Sequence, residues 1–252
     1  MDIPRYNVLG VGIHAVNLAT AISHLIESSR AKRHGYVCCC DAHSLTQARN
    51  EAHRHALNHA LLATPDGMPV VWAGQQSGHG DVGRTYGPDL MESLCATTAE
   101  TELTHFFYGG TDGTAAALAE RLTQRFSGLK IAGHFEPPVT QDSRKLPTAE
   151  LKSAAADFNW IGLSTPKQEA FMAHLYQAPD IKGISLGVGA AFDFLTNRVP
   201  QAPRSIQRSG LEWLWRICQE PRRLGPRYLR TVPLFALRLL AQRTGLRNYP
   251  LD

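Results

Sequence analysis

The stretch FFYGGTDGT, residues 106–114, passes from an apolar run through a glycine-rich turn into the start of an alanine-rich segment. The apolar run has the length of a buried strand, and the apolar residues after the turn recur with helical spacing. The stretch therefore predicts a βα unit, in which a strand is followed by a helix that packs against the sheet.

The same alternation recurs along residues 1–200 and places the chain in the α/β class. Strands are predicted at 7–13, 36–40, 60–63, 104–108, 130–135, 158–163 and 181–186. Helices are predicted at 18–29, 45–55, 88–98, 114–126, 148–155 and 168–175. Repeated βα units predict a mostly parallel sheet with helices on both faces, and ligands bind such sheets at the carboxyl ends of the strands.

The composition fits this class and excludes several others. With 43% apolar and 19% charged residues, the 252-residue chain is expected to fold rather than to be disordered or collagen-like. Three of its five cysteines, at 38–40, are consecutive, so no disulfide framework is predicted, and a strand would point them alternately to opposite faces. The apolar run at 232–241 is well short of the ~20 residues that span a bilayer.

The charge is unevenly distributed and marks a second unit. Residues 1–202 carry 16 basic and 19 acidic residues, whereas residues 203–252 carry ten Arg and three acidic residues. We expect an α/β body at 1–200 and an Arg- and Trp-rich helical appendage at 201–252, broken by Pro221, Pro226 and Pro233. Such a tail suits a partner that carries phosphates, namely lipid headgroups, a diphosphate substrate or nucleic acid, although a solvated basic helix has the same pattern.

The most informative motif is TPDGMPVVW, residues 64–72. Pro65 restricts φ and Gly67 permits a tight turn, which would hold Asp66 at the end of a strand and ahead of a helix. A carboxylate in that place could accept a proton from an attacking hydroxyl group. A simple helix cap at Asp66 would explain the same spacing.

Two glycine-rich turns follow predicted strands. Gly109 and Gly110 belong to the first turn, and Gly187 and Gly189 belong to the second. Backbone amides at the start of a helix bind phosphate, so both turns are predicted to hold nucleotide or phosphate, although many βα turns have this pattern without a ligand.

Other patterns give no cofactor or metal prediction. GVGIHA at 10–15 resembles a dinucleotide-binding fingerprint, but the next strand-end acid, Asp41, comes too late for that motif. His53, His55 and His59 have no acid or Cys partner at ligand spacing, which favours solvated helix histidines. The sequence contains no Asp-x-Asp pair of the kind that holds a metal on a sugar nucleotide.

Six segments together resemble the WecG/TagA/CpsF family of glycosyltransferases, and the match covers nearly the whole chain. They are PDGMPVVW at 65–72, RTYGPDLM at 84–91, FYGG at 107–110, PKQE at 166–169, GVGAAFD at 187–193, and a last stretch from AP at 202–203 through GLEW at 210–213 to EPRR at 220–223. Six segments in this order make the resemblance specific.

The resemblance implies an inverting enzyme that moves a hexose-type sugar from a UDP-sugar to a polyprenyl-diphosphate-linked sugar. The reaction would belong to bacterial polysaccharide or cell-wall polymer synthesis. The resemblance also implies a Rossmann-like catalytic body and a membrane-binding appendage, which together make a peripheral enzyme on the cytoplasmic face of the inner membrane. No cofactor and no metal are expected, an anionic membrane surface is expected as a partner, and an oligomer is compatible with the pattern.

The matching segments also imply roles for individual residues. Asp66 matches the catalytic base, and Arg216, Arg222 and Arg223 lie in the appendage region whose arginines are expected to stabilise the diphosphate. The expected substrate-binding residues are Cys39, Asp41, His43, Arg84, Gly109, Gly110, Lys167, Gln168, Glu169, Gly187 and Gly189.

The chain departs from the family pattern in two places. Cys39 stands where a Thr is usual, with Asp41 in place of an Asn and His43 after it. Gly83 replaces a Glu that is common before Arg84. The first change falls in the region expected to recognise the acceptor or the sugar, and it adds a second acid near the site.

The sequence also allows two functions other than sugar transfer. A nucleotide-sugar-modifying oxidoreductase would carry bound nicotinamide, which absorbance of the purified protein would reveal. A basic nucleic-acid-binding module would use the appendage, but the arginines there alternate with large apolar residues, a pattern that suits an interface better than a nucleic-acid groove.

Overall fold

A computed structural model describes residues 3–140, 142–178 and 180–251. The strands are β1 (Arg5–Val8), β2 (Val11–His14), β3 (Gly35–Cys40), β4 (Leu62–Pro65), β5 (Thr104–Gly109), β6 (Lys130–Phe135), β7 (Phe158–Gly162) and β8 (Ile184–Gly187). The helices are α1 (Leu18–Arg30), α2 (Ala42–Gln47), α3 (Glu51–Asn58), α4 (Met68–Gln76), α5 (Gly87–Thr98), α6 (Thr114–Arg125), α7 (Ala149–Ala154), α8 (Lys167–Tyr176), α9 (Ala191–Leu195), α10 (Arg204–Arg208), α11 (Glu212–Gln219) and α12 (Pro221–Arg243). A short 3-10 helix covers Ser143–Lys145.

The main sheet has the strand order β4-β3-β8-β7-β5-β6, and each neighbouring pair is parallel. The predicted α/β fold with a mostly parallel sheet is therefore confirmed. The chain leaves β3 toward β4 on one side, whereas β8 lies on the other side of β3. Where connections diverge in this way, a crevice opens outside the carboxyl ends of the two strands.

Apolar side chains pack on both faces of the sheet, as predicted. Cys38 and Cys40 belong to one buried cluster, and Cys39 belongs to the other. This division follows from the alternation of side chains along a strand, and it confirms the prediction for the three consecutive thiols. All five cysteines are free.

The first predicted strand, 7–13, is wrong, because the chain reverses inside it. β1 and β2 form an antiparallel hairpin with Val8 opposite Val11, and Leu9 and Gly10 both have positive φ in the two-residue turn. The side chain of Asn58 fastens this turn, since its Oδ1 accepts from the Gly12 amide at 2.9 Å and its Nδ2 donates to the Gly10 carbonyl at 3.0 Å. The alternating apolar residues of both strands are buried, so the pattern hides the turn.

The helix predicted at 45–55 is two helices, α2 and α3, each with its own capping residue. Asp41 caps α2 by accepting from the Ser44 amide at 2.8 Å, and Asn50 caps α3 by accepting from the His53 amide at 3.1 Å. His55 is exposed, but His53 is buried against Ser44, so the solvated interpretation is wrong for His53.

The appendage consists of α10, α11 and α12, and the prolines interrupt it less than predicted. Pro221 begins α12, whereas Pro226 and Pro233 lie inside it. Each proline removes one backbone hydrogen bond, but the helix is held by a buried stripe at positions 224, 228, 231 and 235, which share one face. Within the described residues, no helix is both long and apolar enough to cross a bilayer.

Polar contacts join the appendage to the rest of the chain at both of its ends. Near its start, Arg204 donates to both carboxylate oxygens of Asp89, at 2.9 and 2.7 Å. Near its end, the Gln242 side chain accepts from the Leu9 amide at 2.9 Å. These contacts join the appendage to α5 and to the hairpin turn, and the division at residue 200 remains a prediction.

Candidate active site

A cavity of about 820 Å³ lies at the carboxyl ends of β3, β4, β7 and β8. Loops after these strands supply one part of its lining, and α11 and α12 supply another. Of the predicted site residues, those that line it are Cys39, Asp41, His43, Asp66, Arg84, Gly110, Lys167, Gln168, Gly187, Gly189, Arg216 and Arg223. Gly109, Glu169 and Arg222 do not line it.

Asp66 follows β4 directly and is one of the acids of this cavity. Its amide donates to the Cys40 carbonyl at 3.1 Å, which fixes the backbone against β3. The residue that caps α4 is Gly67, which makes no side-chain cap, so Asp66 is not the helix cap that the spacing also allowed. The carboxylate is 19% exposed and lies 3.5 Å from Nη2 of Arg84.

The surroundings of Asp66 make it a stronger base than an ordinary carboxylate. Burial raises the pKa of Asp66, Arg84 opposes that change, and the negative charges of Asp41 and Glu212 add to it, so that the pKa rises to about 7. A carboxyl group that titrates near neutral pH can both accept a proton and release it.

Arg84 connects Asp66 to the appendage. Its Nε donates to the backbone carbonyl of Asp66, and its Nη2 donates to Oε2 of Glu212 at 2.6 Å. Its guanidinium group stacks 4.0 Å from the ring centroid of Tyr86, whose hydroxyl donates to Oε1 of Glu212 at 2.8 Å. We call Arg84, Tyr86 and Glu212 the carboxylate clasp.

The carboxylate clasp brings in a residue to which sequence reasoning gave no role. Glu212 is the first residue of α11 and lies inside the GLEW segment that carried the family resemblance. It is 128 residues from Arg84 in sequence, so local spacing could not pair the two. The GLEW segment indicated that this region matters, but it did not indicate that Glu212 pairs with Arg84.

Four arginines of the appendage line the cavity, and two of them were missed from the sequence. They are Arg216 on α11 and Arg223, Arg227 and Arg243 on α12. Residues 223 and 227 are four apart and so share a helix face, whereas residue 222 points about 100° away from residue 223 and does not line the cavity. Arg222 was expected beside the diphosphate but does not line the cavity. Arg227 and Arg243, which were not predicted, do line it.

Comparison with known proteins agrees with this architecture. Residues 6–249 match the Glycosyl transferase WecG/TagA/CpsF family. The chain belongs to this glycosyltransferase family. A relative from Bacillus spizizenii, named N-acetylglucosaminyldiphosphoundecaprenol N-acetyl-beta-D-mannosaminyltransferase, is 30% identical over 175 residues, or 69% of this chain and 67% of the relative. The predicted family and the prediction of a transferase are confirmed, and the oxidoreductase and nucleic-acid alternatives are not retained.

In the glycosyltransferase, buried side chains of the PKQE segment, residues 166–169, support the wall of the cavity. Gln168 is buried, with its Oε1 accepting from the Gly189 amide at 3.1 Å and its Nε2 donating to Oε1 of Glu169 at 3.1 Å. Glu169 is fully buried, burial raises its pKa, and its Oε2 has no hydrogen-bond partner in the described part of the chain. Gln168 therefore positions the turn after β8, and Glu169 supports Gln168 from behind.

The glycine turns of the glycosyltransferase offer fewer free amides than predicted. The Gly110 amide donates to the Gly162 carbonyl at 3.2 Å. At the start of α6, Glu136 accepts from the amides of Gly113 and Ala115 at 2.9 and 2.8 Å, so the chain supplies its own anion where phosphate was expected. Arginines of the appendage, by contrast, line the cavity itself.

The unusual segment at the end of β3 contributes three side chains, those of Cys39, Asp41 and His43, to the wall. Burial raises the pKa of the Cys39 thiol, so it stays protonated. Burial lowers the pKa of His43, as does Arg227, so the imidazole is neutral at pH 7. The negative charge of Asp41 also acts on Asp66, so the departure from the family pattern affects the predicted base itself.

We expect sugar transfer to survive chelation. Within the described parts of the chain, no group of three or more His, Cys, Asp and Glu residues could hold a metal ion. Arginines would then balance the leaving-group charge. Initial rates measured with and without EDTA should agree, and a loss that Mg²⁺ or Mn²⁺ restores would contradict this prediction.

Glu212→Gln is expected to move the acidic limb of the pH profile of kcat/KM to lower pH. The negative charge of Glu212 raises the pKa of Asp66, whereas the positive charge of Arg84 lowers it. Removal of the charge at residue 212 should therefore lower the pKa of Asp66. The control is Glu220→Gln, which removes an acid that pairs with Arg223 instead. Identical limbs in both variants would show that the carboxylate clasp does not tune Asp66.

Proposed function

We propose that the enzyme transfers a hexose-type sugar, with inversion, from a UDP-sugar to a polyprenyl-diphosphate-linked sugar in bacterial polysaccharide or cell-wall polymer synthesis. The observation that carries the proposal is a carboxyl group with a pKa of about 7, Asp66, in a cavity that arginines also line. The name of the Bacillus spizizenii relative, which specifies a sugar acceptor on diphosphoundecaprenol, supports the acceptor class.

The proposed reaction is a single displacement. As the acceptor hydroxyl oxygen attacks the anomeric carbon of the donor, its proton passes to a carboxylate oxygen of Asp66. The bond from the anomeric carbon to the diphosphate oxygen breaks, and its electron pair leaves with UDP. One displacement at this carbon inverts its configuration.

Arginines would stabilise the leaving group. Arg216, Arg223 and Arg227 line the same cavity as Asp66. The Nε atoms of Arg216 and Arg227 are buried and have no hydrogen-bond partner among the residues that the structure describes. Fixed donors of this kind stabilise charge that develops in the transition state, because they need little reorganisation during the reaction. A donor diphosphate or an acceptor diphosphate would satisfy them.

An apolar wall fits a lipid-linked acceptor. α12 lines the cavity with Val232, Phe235, Ala236 and Leu239, next to the polar end that holds Asp66. An acceptor that presents a sugar, a diphosphate and a polyprenyl chain needs this sequence of polar, cationic and apolar surfaces. A soluble sugar acceptor would leave the apolar wall without a role.

The appendage also carries the features of a peripheral membrane contact. Leu229 and Leu237 on α12 are 66% and 65% exposed, and Arg222 and Arg230 are exposed on the same helix. Apolar insertion combined with attraction to anionic lipid holds such helices at a bilayer surface. Docking on the cytoplasmic face would bring the cavity to its lipid-linked acceptor.

Leu229→Gln together with Leu237→Gln is expected to release the enzyme from anionic vesicles. Each substitution removes an exposed apolar side chain without changing the charge. Sedimentation with phosphatidylglycerol-containing vesicles should fall several-fold, whereas transfer to a short, water-soluble acceptor should persist. Unchanged sedimentation would show that α12 does not insert.

The reaction itself is tested with purified enzyme, a panel of UDP-sugars and an acceptor that carries a shortened lipid on its diphosphate. We expect release of UDP and a product whose anomeric configuration, determined by NMR, is opposite to that of the donor. Retention of configuration would reject the single displacement. Release of UDP with none of the donors, under conditions in which the acceptor is soluble, would reject the proposed substrates.

A further inference from the structure

A second, smaller cavity adjoins α12 at Arg238. Its volume is about 320 Å³, and it shares no lining residue with the first cavity. It is formed where the hairpin turn, the end of α2, α3 and the segment after α12 meet. The lining residues are Leu9, Leu45, Ala48, Arg49, Arg54, Arg238, Arg247 and Tyr249.

The described residues that line this second cavity carry positive charge only. Four of its eight lining residues are arginines, and none is Asp or Glu. Burial lowers the pKa of Arg238, and the neighbouring charges of Arg49 and Arg247 lower it further. Guanidinium groups held this close repel one another, and a bound anion would relieve the repulsion.

The uncharged part of the lining also offers a donor. The hydroxyl group of Tyr249 is buried and has no hydrogen-bond partner among the described residues. The guanidinium of Arg247 lies 5.2 Å from the ring centroid of Tyr249. A phenol donor beside planar guanidinium donors is a set that matches the oxygens of a phosphate group.

Hydrogen bonds fix the walls of the second cavity in place. Asn7 donates from its side-chain amide to the Tyr249 carbonyl at 2.6 Å, and it accepts at its own carbonyl from Gln242 at 3.2 Å. The Gln242 side chain also accepts from the Leu9 amide at 2.9 Å. The segment that carries Arg247 and Tyr249 is thus held against the hairpin, so the arrangement of cations is built into the fold.

From these observations we propose that the second cavity is an anion site, separate from the active site, that binds a phosphate group. The phosphate belongs either to a phospholipid headgroup or to a small free phosphate. The exposed side chains of Leu237 and Leu246, which adjoin Arg238 and Arg247 in sequence, are consistent with a headgroup. The proposal goes beyond sugar transfer and does not depend on it.

The test compares two double variants of the full chain. Arg49→Gln with Arg238→Gln removes two cations from the second cavity, and Arg30→Gln with Arg121→Gln removes two exposed arginines that line neither cavity. Calorimetric titration with inorganic phosphate should show at least about a tenfold weaker Kd in the cavity variant and no change in the control. UDP binding reports on the active site and should be unchanged in both variants.

A second titration and a vesicle assay complete the test. Tyr249→Phe removes only the unpartnered hydroxyl and should weaken phosphate binding several-fold without loss of folding. Co-sedimentation with vesicles of one part phosphatidylglycerol and three parts phosphatidylcholine separates the two sources of phosphate. If it falls further in the cavity variant than in the control, the ligand is a headgroup, and if only phosphate titration changes, the ligand is a free phosphate. Equal phosphate affinity and equal sedimentation in the cavity and control variants would overturn the proposal.

Discussion

Asp66→Asn is expected to lower sugar transfer by roughly 10²- to 10⁴-fold, because the amide has nearly the same shape as the carboxylate but cannot accept the acceptor's proton. Donor binding should persist, since the arginines of the cavity are untouched. The measurement is kcat with a water-soluble acceptor, together with calorimetric UDP binding. Near-normal turnover in this variant would remove Asp66 from the mechanism.

The raised pKa of Asp66 adds a stability result to the same variant. Asp66 has a pKa of about 7 in the folded protein and an ordinary carboxyl pKa in the unfolded chain. Its contribution to stability is therefore fully present when the pH is below the pKa of the unfolded chain, and it is lost as the pH rises through 7. At pH 8 the partly buried, deprotonated carboxylate therefore lowers the free energy of unfolding, and an uncharged Asn does not. We expect the Tm of Asp66→Asn to equal or exceed that of the wild type at pH 8, and a lower Tm would contradict the assigned pKa.

Arg223→Gln and Arg227→Gln are each expected to lower transfer by about 10- to 10³-fold even with a short, water-soluble acceptor. Both side chains line the cavity, and loss of one preorganised donor to developing charge has an effect of this order. The matched control is Arg222→Gln, which removes the same charge from the same helix but from a position that does not line the cavity. That variant should turn over the soluble acceptor at close to the normal rate.

The contrast between neighbours makes this experiment decisive. A general effect of positive charge would lower transfer in all three variants alike, and it would fade as salt is added. A directed effect at the diphosphate separates Arg222 from Arg223 although the two are adjacent in sequence. Equal losses at 222 and 223 would show that the cavity arginines do not act at the reacting centre.

Much of the fold was predictable because periodicity reports burial. Strands β5 and β6 and helices α5 and α6 lie within a residue or two of their predicted positions, since buried strands and amphipathic helices differ in period. The hairpin at residues 5–14 was missed because its buried residues alternate through the turn. The split between α2 and α3 was missed because it depends on local capping by Asn50, which periodicity does not report.

The candidate site was predictable in part for a different reason. Asp66 and Arg84 stand in short motifs whose local geometry can be read from glycine and proline positions. The pairing of Arg84 with Glu212 depends on how α11 lies over the sheet, which no local pattern specifies. Glu136 accepts a hydrogen bond from an amide at the start of α6, and this contact joins residues that are 23 apart in sequence. The spacing of the glycine-rich turn therefore could not show that a side chain of the protein takes the place expected for phosphate.

The carboxylate clasp has a consequence for the order in which the enzyme matures. The ribosome releases the chain from its N-terminus, so Asp66 and Arg84 emerge well before Glu212 and the arginines of the appendage. A nascent chain therefore holds Asp66 and Arg84 without Glu212 and without the arginines that the proposed reaction uses. The last helices to leave the ribosome complete the proposed chemistry, so we expect a chain that stalls before residue 212 to lack transferase activity.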